Sequence, residues 1–455
     1  MAITHCKYKE IVLVCIVLFN LVITNAYTGP DLRGSYCASR RNGCCRGRQD
    51  ECSAPIKDTL CYCDDFCNRT RNDDCCPDFL PYCKGIQEPE PPANITLRFC
   101  RTNRLGEVYQ DGEIVKNNCN ECKCQEIKGE MELMCESHQC LIDEQLVGEI
   151  NSRSRFYGWR ASNYSEFWGR KYEEGLSLRL GLLHSRKKVM QMQPLRHPVN
   201  VRELPRSFDA RANWPGRISL PRDQGWCGAS WVFSTVSVVS DRLAIMTRGN
   251  DHTILSPQHL LSCNSRNQRG CQGGHLTRAW TFIRYYGLVS DECYPWEGSL
   301  SDCRVTRHKK PMDAPCPSSY GVERAELHRV GPVYRLGTEE DVMYEILHSG
   351  PVQAIIKISR DFFSYNSGIY RCTRISANSD RLGHHAVRII GWGEEVLNNE
   401  IVKYWIVSNS WGTWWGENGF FRIRRGSNEC EIEDFILAAW VKIDKVNTIY
   451  NTVKS

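Results

Sequence analysis

Three side chains able to serve nucleophilic chemistry lie far apart in the chain: Ser230, His385 and Asn409, with the carboxamide of Gln224 shortly before the serine. Ser230 follows Gln224-Gly225-Trp226-Cys227-Gly228-Ala229 and precedes Val232, Val236, Val239, Leu243 and Met246, which recur at helical spacing. A hydroxyl at such a helix start feels the positive end of the helix dipole, which stabilises a developing anion. His385 opens the alternating run 385–393, which reads as a strand, and Asn409 ends a second strand-like run from Tyr404. Each also has a plainer reading: a satisfied core histidine for His385, and turn amides for Asn409 and Gln224.

The elements that position these residues belong to a chain of several parts. At 455 residues it exceeds one compact core. Hydrophobic residues make up 41% and charged residues 24%, which argues against wholesale disorder and a polytopic membrane protein. A net charge of +5 gives no case for nucleic acid. The 26 cysteines fix the compartment. Cys6 and Cys15 fall in residues 1–26, where Lys7 and Lys9 precede an apolar run of about 13 residues ending at a small-residue cleavage site. That run is short of the roughly 20 residues that span a bilayer, so it reads as a signal peptide and the protein as secreted. The remaining 24 cysteines, an even number in an oxidising compartment, are expected in disulfides and not in metal sites. No cofactor is expected. Asn68, Asn94 and Asn163 head glycan acceptor triplets.

Residues 36–84 are too poor in aliphatic side chains to fold without cross-links. Their Cys61-Tyr62-Cys63-Asp64-Asp65-Phe66-Cys67 and Cys75-Cys76-Pro77 resemble a somatomedin-B-like module, with more cysteines than such modules usually carry. A stiff Pro-rich linker at 88–92 leads to residues 100–140, whose Cys119-x2-Cys122-x-Cys124 resembles a von Willebrand factor C-type module. Six cysteines there permit 15 pairings. Residues 146–203 form a basic connector: between Arg153 and Arg202, 11 Lys or Arg face Glu166, Glu173 and Glu174. Trp159, Phe167 and Trp168 imply that it packs on something.

From 204 to 443 the order Gln224, Ser230, His385-Ala386, Asn409-Ser410-Trp411 is similar to the papain family of cysteine proteases, with Ser207-Phe208-Asp209-Ala210-Arg211 and Gly270-Cys271-Gln272-Gly273-Gly274 resembling a cathepsin-B-like chain. The resemblance implies an α+β fold of two lobes, one helical and one β-barrel-like, preceded here by the small disulfide-rich modules. It also implies Gln224 and the Ser230 amide as oxyanion hole, His385 as base, Asn409 as its orienter and Trp411 as a cover. The family pattern pairs Cys227 with Cys271, Cys263 with Cys303 and Cys372 with Cys430, leaving Cys293 and Cys316 to each other.

The departure is Ser230, which stands where the family's nucleophilic cysteine belongs in C-G-[SA]-C-[WY]. A papain thiol reaches about pKa 3 to 4 and ionises against its histidine. An alcohol cannot, so proteolysis is expected to be lost. Together the modules, the connector and the altered domain resemble the tubulointerstitial nephritis antigen family. That resemblance implies a secreted, non-proteolytic matrix protein that binds matrix components, cell-surface receptors or secreted signalling proteins. The alternative is a hydrolase working through Ser230, His385 and Asn409. The basic clusters Arg186, Lys187 and Lys188, Arg40, Arg41, Arg46 and Arg48, and Arg307 to Lys310 suit sulfated polysaccharide by charge pairing, and each reads equally well as a solvated loop face or a processing site. Thiol titration of the denatured, unreduced protein should find no free cysteine. A stoichiometric thiol at Cys227 would overturn this allocation.

Overall fold

The computed structural model describes residues 34–56, 59–67, 74–86, 99–101, 108–183, 192–305, 313–316, 323–372 and 382–443. The signal segment 1–26, the linker 88–92, Asn68, Asn94, the triplet Arg186, Lys187 and Lys188, and the run Arg307 to Lys310 lie outside the described residues. Among the described residues no helix is long and apolar enough to cross a membrane. The chain forms two compact units that divide between Cys140 and Leu141.

In the first unit cystine takes the place of an aliphatic core. Pairs Cys37–Cys63, Cys44–Cys83, Cys45–Cys52, Cys61–Cys76 and Cys67–Cys75 enclose Tyr36, Ala54 and Phe79. The Asp78 carboxylate accepts from the Cys37 and Ala38 amides at 2.9 and 3.0 Å, which ties the first turn to the last. Farther along, Cys100–Cys124, Cys119–Cys140 and Cys122–Cys135 staple the three-stranded sheet of Ile114–Asn117, Asn120–Ile127 and Glu130–Cys135.

The second unit is built on a ten-stranded mixed sheet. Its strands in chain order are β1 Trp159–Ala161, β2 Pro194–Leu195, β3 Phe208–Asp209, β4 Tyr334–Leu336, β5 Val352–Ile358, β6 Tyr365–Tyr370, β7 Gly383–Leu397, β8 Glu400–Ser408, β9 Phe420–Arg424 and β10 Ile436–Ala438. The spatial order is β1-β6-β9-β8-β7-β5-β10-β4-β2, and β3 adds to β7. The α-helices longer than four residues are α1 Glu144–Ser152, α2 Ser230–Met246, α3 Pro257–Cys263, α4 Leu276–Tyr286 and α5 Glu339–Ser349. The disulfides Cys227–Cys271, Cys263–Cys303, Cys293–Cys316 and Cys372–Cys430 complete this unit.

Two features depart from the sequence pattern. Helix α2 is buried on all sides, including Ser234, Thr235, Asp241 and Arg242, and only Met246 at its end is exposed. It packs between β7 and the other helices, so an amphipathic stripe is not required. Strand β7 is likewise buried on both faces from His385 through Gly393, because α2 and α5 both pack on it.

The connector is more than a link, because it supplies both edge strands of the sheet. Strand β1 pairs antiparallel with β6, and β2 pairs parallel with β4. Trp159, Phe167, Trp168 and Tyr172 are buried, in keeping with their bulk.

A buried ion pair fixes the helix that carries Ser230 against the strand that carries His385. Arg388 on β7 donates to Asp241 on α2 at 2.5 Å, and to Ser219 and Ser408. Burial pushes the Asp241 carboxyl up while Arg388 pulls it back. Removing one partner strands the other charge in the core. Asp241→Ala should therefore lower unfolding stability by about 3–5 kcal/mol in denaturant titration, whereas a change under about 1 kcal/mol would show that the pair does not bind helix to strand.

Candidate functional site

The site sits where the N-terminus of α2 meets the start of β7 and the end of β8. Ala229 is the N-cap of α2 and contributes no side-chain cap, and its carbonyl accepts from the Val232 and Phe233 amides at 2.9 and 3.0 Å. The Ser230 hydroxyl is fully buried and accepts from the Ala386 amide at 3.2 Å, next to His385. Register places Arg388 opposite Ser408, which brings His385 and Asn409 together from adjacent strands.

His385 Nε2 lies 2.7 Å from Asn409 Oδ1, and the same oxygen accepts from the Ser410 amide at 2.8 Å. An amide oxygen only accepts, so the Nε2 proton must be the one donated and Nδ1 carries the lone pair. Nδ1 is buried and makes no hydrogen bond to Ser230. The Trp411 ring lies 5.1 Å from the imidazole. Complete burial pulls the His385 pKa down to about 4; the hydrogen bond to Asn409 and the Leu180 backbone oppose this only in part. The imidazole is therefore neutral at physiological pH, without the ionised partner that a thiolate would provide.

The connector fills the cleft. The Arg179 carbonyl accepts from Gln224 Nε2 at 3.0 Å and from Trp411 Nε1 at 2.8 Å. Gln224 Nε2 also donates to the Cys227 carbonyl at 2.8 Å, and Gln224 Oε1 accepts from Ser410 Oγ at 2.6 Å. The carboxamide assigned to oxyanion binding is thus fully engaged. Beyond it, the Gly274 amide donates to the Gly181 carbonyl at 3.1 Å and the Leu183 amide to the Gly274 carbonyl at 3.0 Å. Gly181 has φ of +103° and lies against the Gly228 carbonyl so closely that a Cβ there would overlap it. Leu180 packs on Gly383, two residues before His385.

Side chains hold this segment down. The Arg179 guanidinium, almost fully buried, pairs with Asp223 at 2.7 Å and lies over the rings of Trp226, Phe167 and Trp414 at 4.7, 5.3 and 5.7 Å. Phe167 itself meets Trp226, Phe363, Trp411 and Trp414 edge-on. Tyr164 donates to the Tyr365 carbonyl at 2.8 Å and accepts from the Gly416 amide at 2.9 Å, and burial pushes its phenol up to about 12. Arg179, Leu180 and Gly181 have no conspicuous motif in the sequence. The signal they leave is the leucine-rich run 176–183, whose polar residues are Ser177 and Arg179 and which demands a partner surface.

Other sequence-derived sites fare differently. Asn163 is half-buried and its Oδ1 is enclosed, so a glycan there would crowd the docked connector. Two members of the cluster of Arg40, Arg41, Arg46 and Arg48 make contacts within their own turn. Arg40 is spent on the Gly43 and Glu51 carbonyls, and Arg48 pairs with Asp50 at 3.0 Å. The carbonyls leave the charge of Arg40 in place, while Asp50 offsets that of Arg48 across an exposed pair.

Residues 204–440 match the papain family cysteine protease family. The chain is 43% identical over 432 residues to tubulointerstitial nephritis antigen-like of Homo sapiens, covering 91% of this chain and 90% of that protein. It is 40% identical over 429 residues to tubulointerstitial nephritis antigen of Bos taurus, covering 90% and 87% respectively. Among solved structures, procathepsin B S9 from Trypanosoma congolense aligns with a TM-score of 0.56 at 31% identity, covering 67% of this chain and 99% of that one.

The depressed His385 pKa makes a stability prediction. Between about pH 4 and the ordinary value of 6.5, the unfolded chain binds a proton that the folded site refuses. The contribution is therefore present in full above pH 6.5 and is lost as pH falls toward 4, by up to about 3 kcal/mol. Denaturation of His385→Gln across that window should show a correspondingly shallower pH slope than wild type. Identical slopes would mean that the imidazole titrates normally.

Proposed function

As this chain belongs to the tubulointerstitial nephritis antigen family, within the papain family of cysteine proteases, we propose that it is a secreted, non-proteolytic homologue that binds partners in the extracellular matrix. The observation that carries this reading is Ser230 at the start of α2, where it accepts from the Ala386 amide and makes no hydrogen bond to a neutral His385. A serine nucleophile needs its base within hydrogen-bond reach to be deprotonated during attack. Here the base and the hydroxyl are not joined.

Occupation of the cleft supports the reading independently. A peptide carbonyl already engages Gln224, and the backbone of 179–183 lies where an extended substrate would run. Displacing it requires releasing the Arg179–Asp223 pair and the Phe167 aromatic cluster. The 12 disulfides among the described residues fit an oxidising, extracellular setting. Contacts with matrix proteins, receptors or secreted signalling proteins would then fall on the exterior of either unit instead of the cleft. The intact His385–Asn409 pair is what favours the second reading, a peptidase using Ser230.

A fluorogenic peptide assay on the full chain separates them. Wild type should show no turnover, and Ser230→Cys should show little while the connector holds the cleft. Ser230→Cys combined with Gly181→Ala, whose methyl would clash with the Gly228 carbonyl, should gain at least about a hundredfold over wild type, since loss of a nucleophile alone costs about 10⁶ in a serine protease. Wild-type turnover that disappears in Ser230→Ala would overturn the proposal.

A further inference from the structure

We infer that Arg266, Arg269, Arg278 and Arg284 form a docking surface for sulfated polysaccharide, an inference that rests on the matrix-binding reading and gives it a place on the molecule. Residues 264–290 contain these four arginines and His275 but no Asp or Glu. The segment is the loop that leads into α4 together with the helix itself. Helix α4 buries Leu276, Ala279, Trp280, Phe282 and Ile283, which turns Arg278, Thr281 and Arg284 outward. Arg266 and Arg269 are exposed on the loop, and Arg278 is half-buried.

The parts are held together. Arg278 donates to the Arg266 carbonyl at 3.3 Å, and the Asn267 amide oxygen can face both of its terminal nitrogens at 3.1 and 3.2 Å. Arg278 and Arg284 lie six residues apart, roughly 9 Å along the helix axis. Six residues also set the two side chains about 120° apart around the axis, so they flank the exposed face of the helix and meet a polyanion as separate contacts.

Neutralisation from within the protein is weak. Among the described residues none of the four arginines has a carboxylate partner, whereas Arg222 and Arg304 are taken by Asp291 and Glu297. Asp302, exposed on the loop whose Leu300 packs on Gly270, is a carboxylate that this surface must tolerate. The exposed guanidinium forks of Arg266, Arg269 and Arg284 suit the oxygens of sulfate, which they can engage through paired N–H donors, better than ammonium groups would, and Arg278 adds its charge while holding the loop. Sulfate also stays ionised at any physiological pH, and extracellular sulfated chains are repeating polyanions that several spaced arginines can grip at once. Because the four are scattered through the sequence, no basic run marks them.

The test is heparin chromatography and solution titration of the full chain. Wild type should be retained at physiological salt. The quadruple Arg266→Gln, Arg269→Gln, Arg278→Gln, Arg284→Gln variant should elute earlier and bind at least about tenfold more weakly, with a shallower salt dependence, as expected when counterion-releasing contacts are removed. The matching Arg→Lys variant should recover most of the binding, which guards against a folding defect in the glutamine variant. Desulfated heparin should fail to compete. If wild type binds and the quadruple variant binds equally, or if only Arg186→Gln, Lys187→Gln, Lys188→Gln lowers retention, this surface is refuted while matrix binding stands. Stronger retention on single-stranded DNA or phosphatidylserine vesicles than on heparin would refute the assigned ligand class. Peptide turnover by wild type would instead strike the non-proteolytic reading and leave this surface intact.

Discussion

One peptide carbonyl, that of Arg179, organises the centre of the second unit. It takes both the Gln224 carboxamide and the Trp411 indole as donors, so the two groups flanking the would-be reaction site are committed to the protein's own backbone. That carbonyl can reach them only because Gly181 and Gly228 allow the two chain segments to meet at main-chain distance. Once it is placed, Leu180 covers the strand leading to His385 and shuts water out. The low His385 pKa follows from this burial.

The connector is consequently a structural member of the papain-like domain. Its strands close the two ends of the sheet, and Phe167, Tyr164 and Arg179 occupy aromatic and acidic sites along the way. An edge strand left open would expose unpaired N–H and C=O groups. In this chain both terminal strands are short and come from the connector itself. In this papain-like domain the connector backbone thereby adds to the cohesion of the second unit through Gln224, Trp411 and Gly274. The oxygen of Ser230 fits the same description: it accepts from a backbone amide and adds to the contacts between α2 and β7.

Parts of this were legible in the sequence for physical reasons. Val232, Val236, Val239 and Leu243 recur with the helix period, and all four are buried in α2. Buried aromatics in the connector were foreshadowed by Trp159, Phe167 and Trp168, since rings of that size seldom remain in water. Other features could not be read. Arg179 acts on Gln224 through its carbonyl, which every residue possesses, so no side-chain pattern announces it. Pairings such as Cys44 with Cys83 depend on how the knot closes, because spacing alone admits many connectivities. The hydrogen bonds of Arg40 to the Gly43 and Glu51 carbonyls belong to a local turn that its place among other arginines does not announce.

By itself the sequence determined the chemistry at each position: an alcohol at residue 230, an even set of cysteines beyond residue 26, and motifs spaced as in papain-like chains. Tertiary structure alone decided which of these groups meet. His385 hydrogen-bonds Asn409 and not the Ser230 hydroxyl, Gln224 faces the connector, and Arg278 on α4 reaches back to the Arg266 carbonyl. The reason is that hydrogen bonding and charge act over a few ångströms, and proximity between distant residues is set by strand register and helix packing, which the linear order does not encode locally.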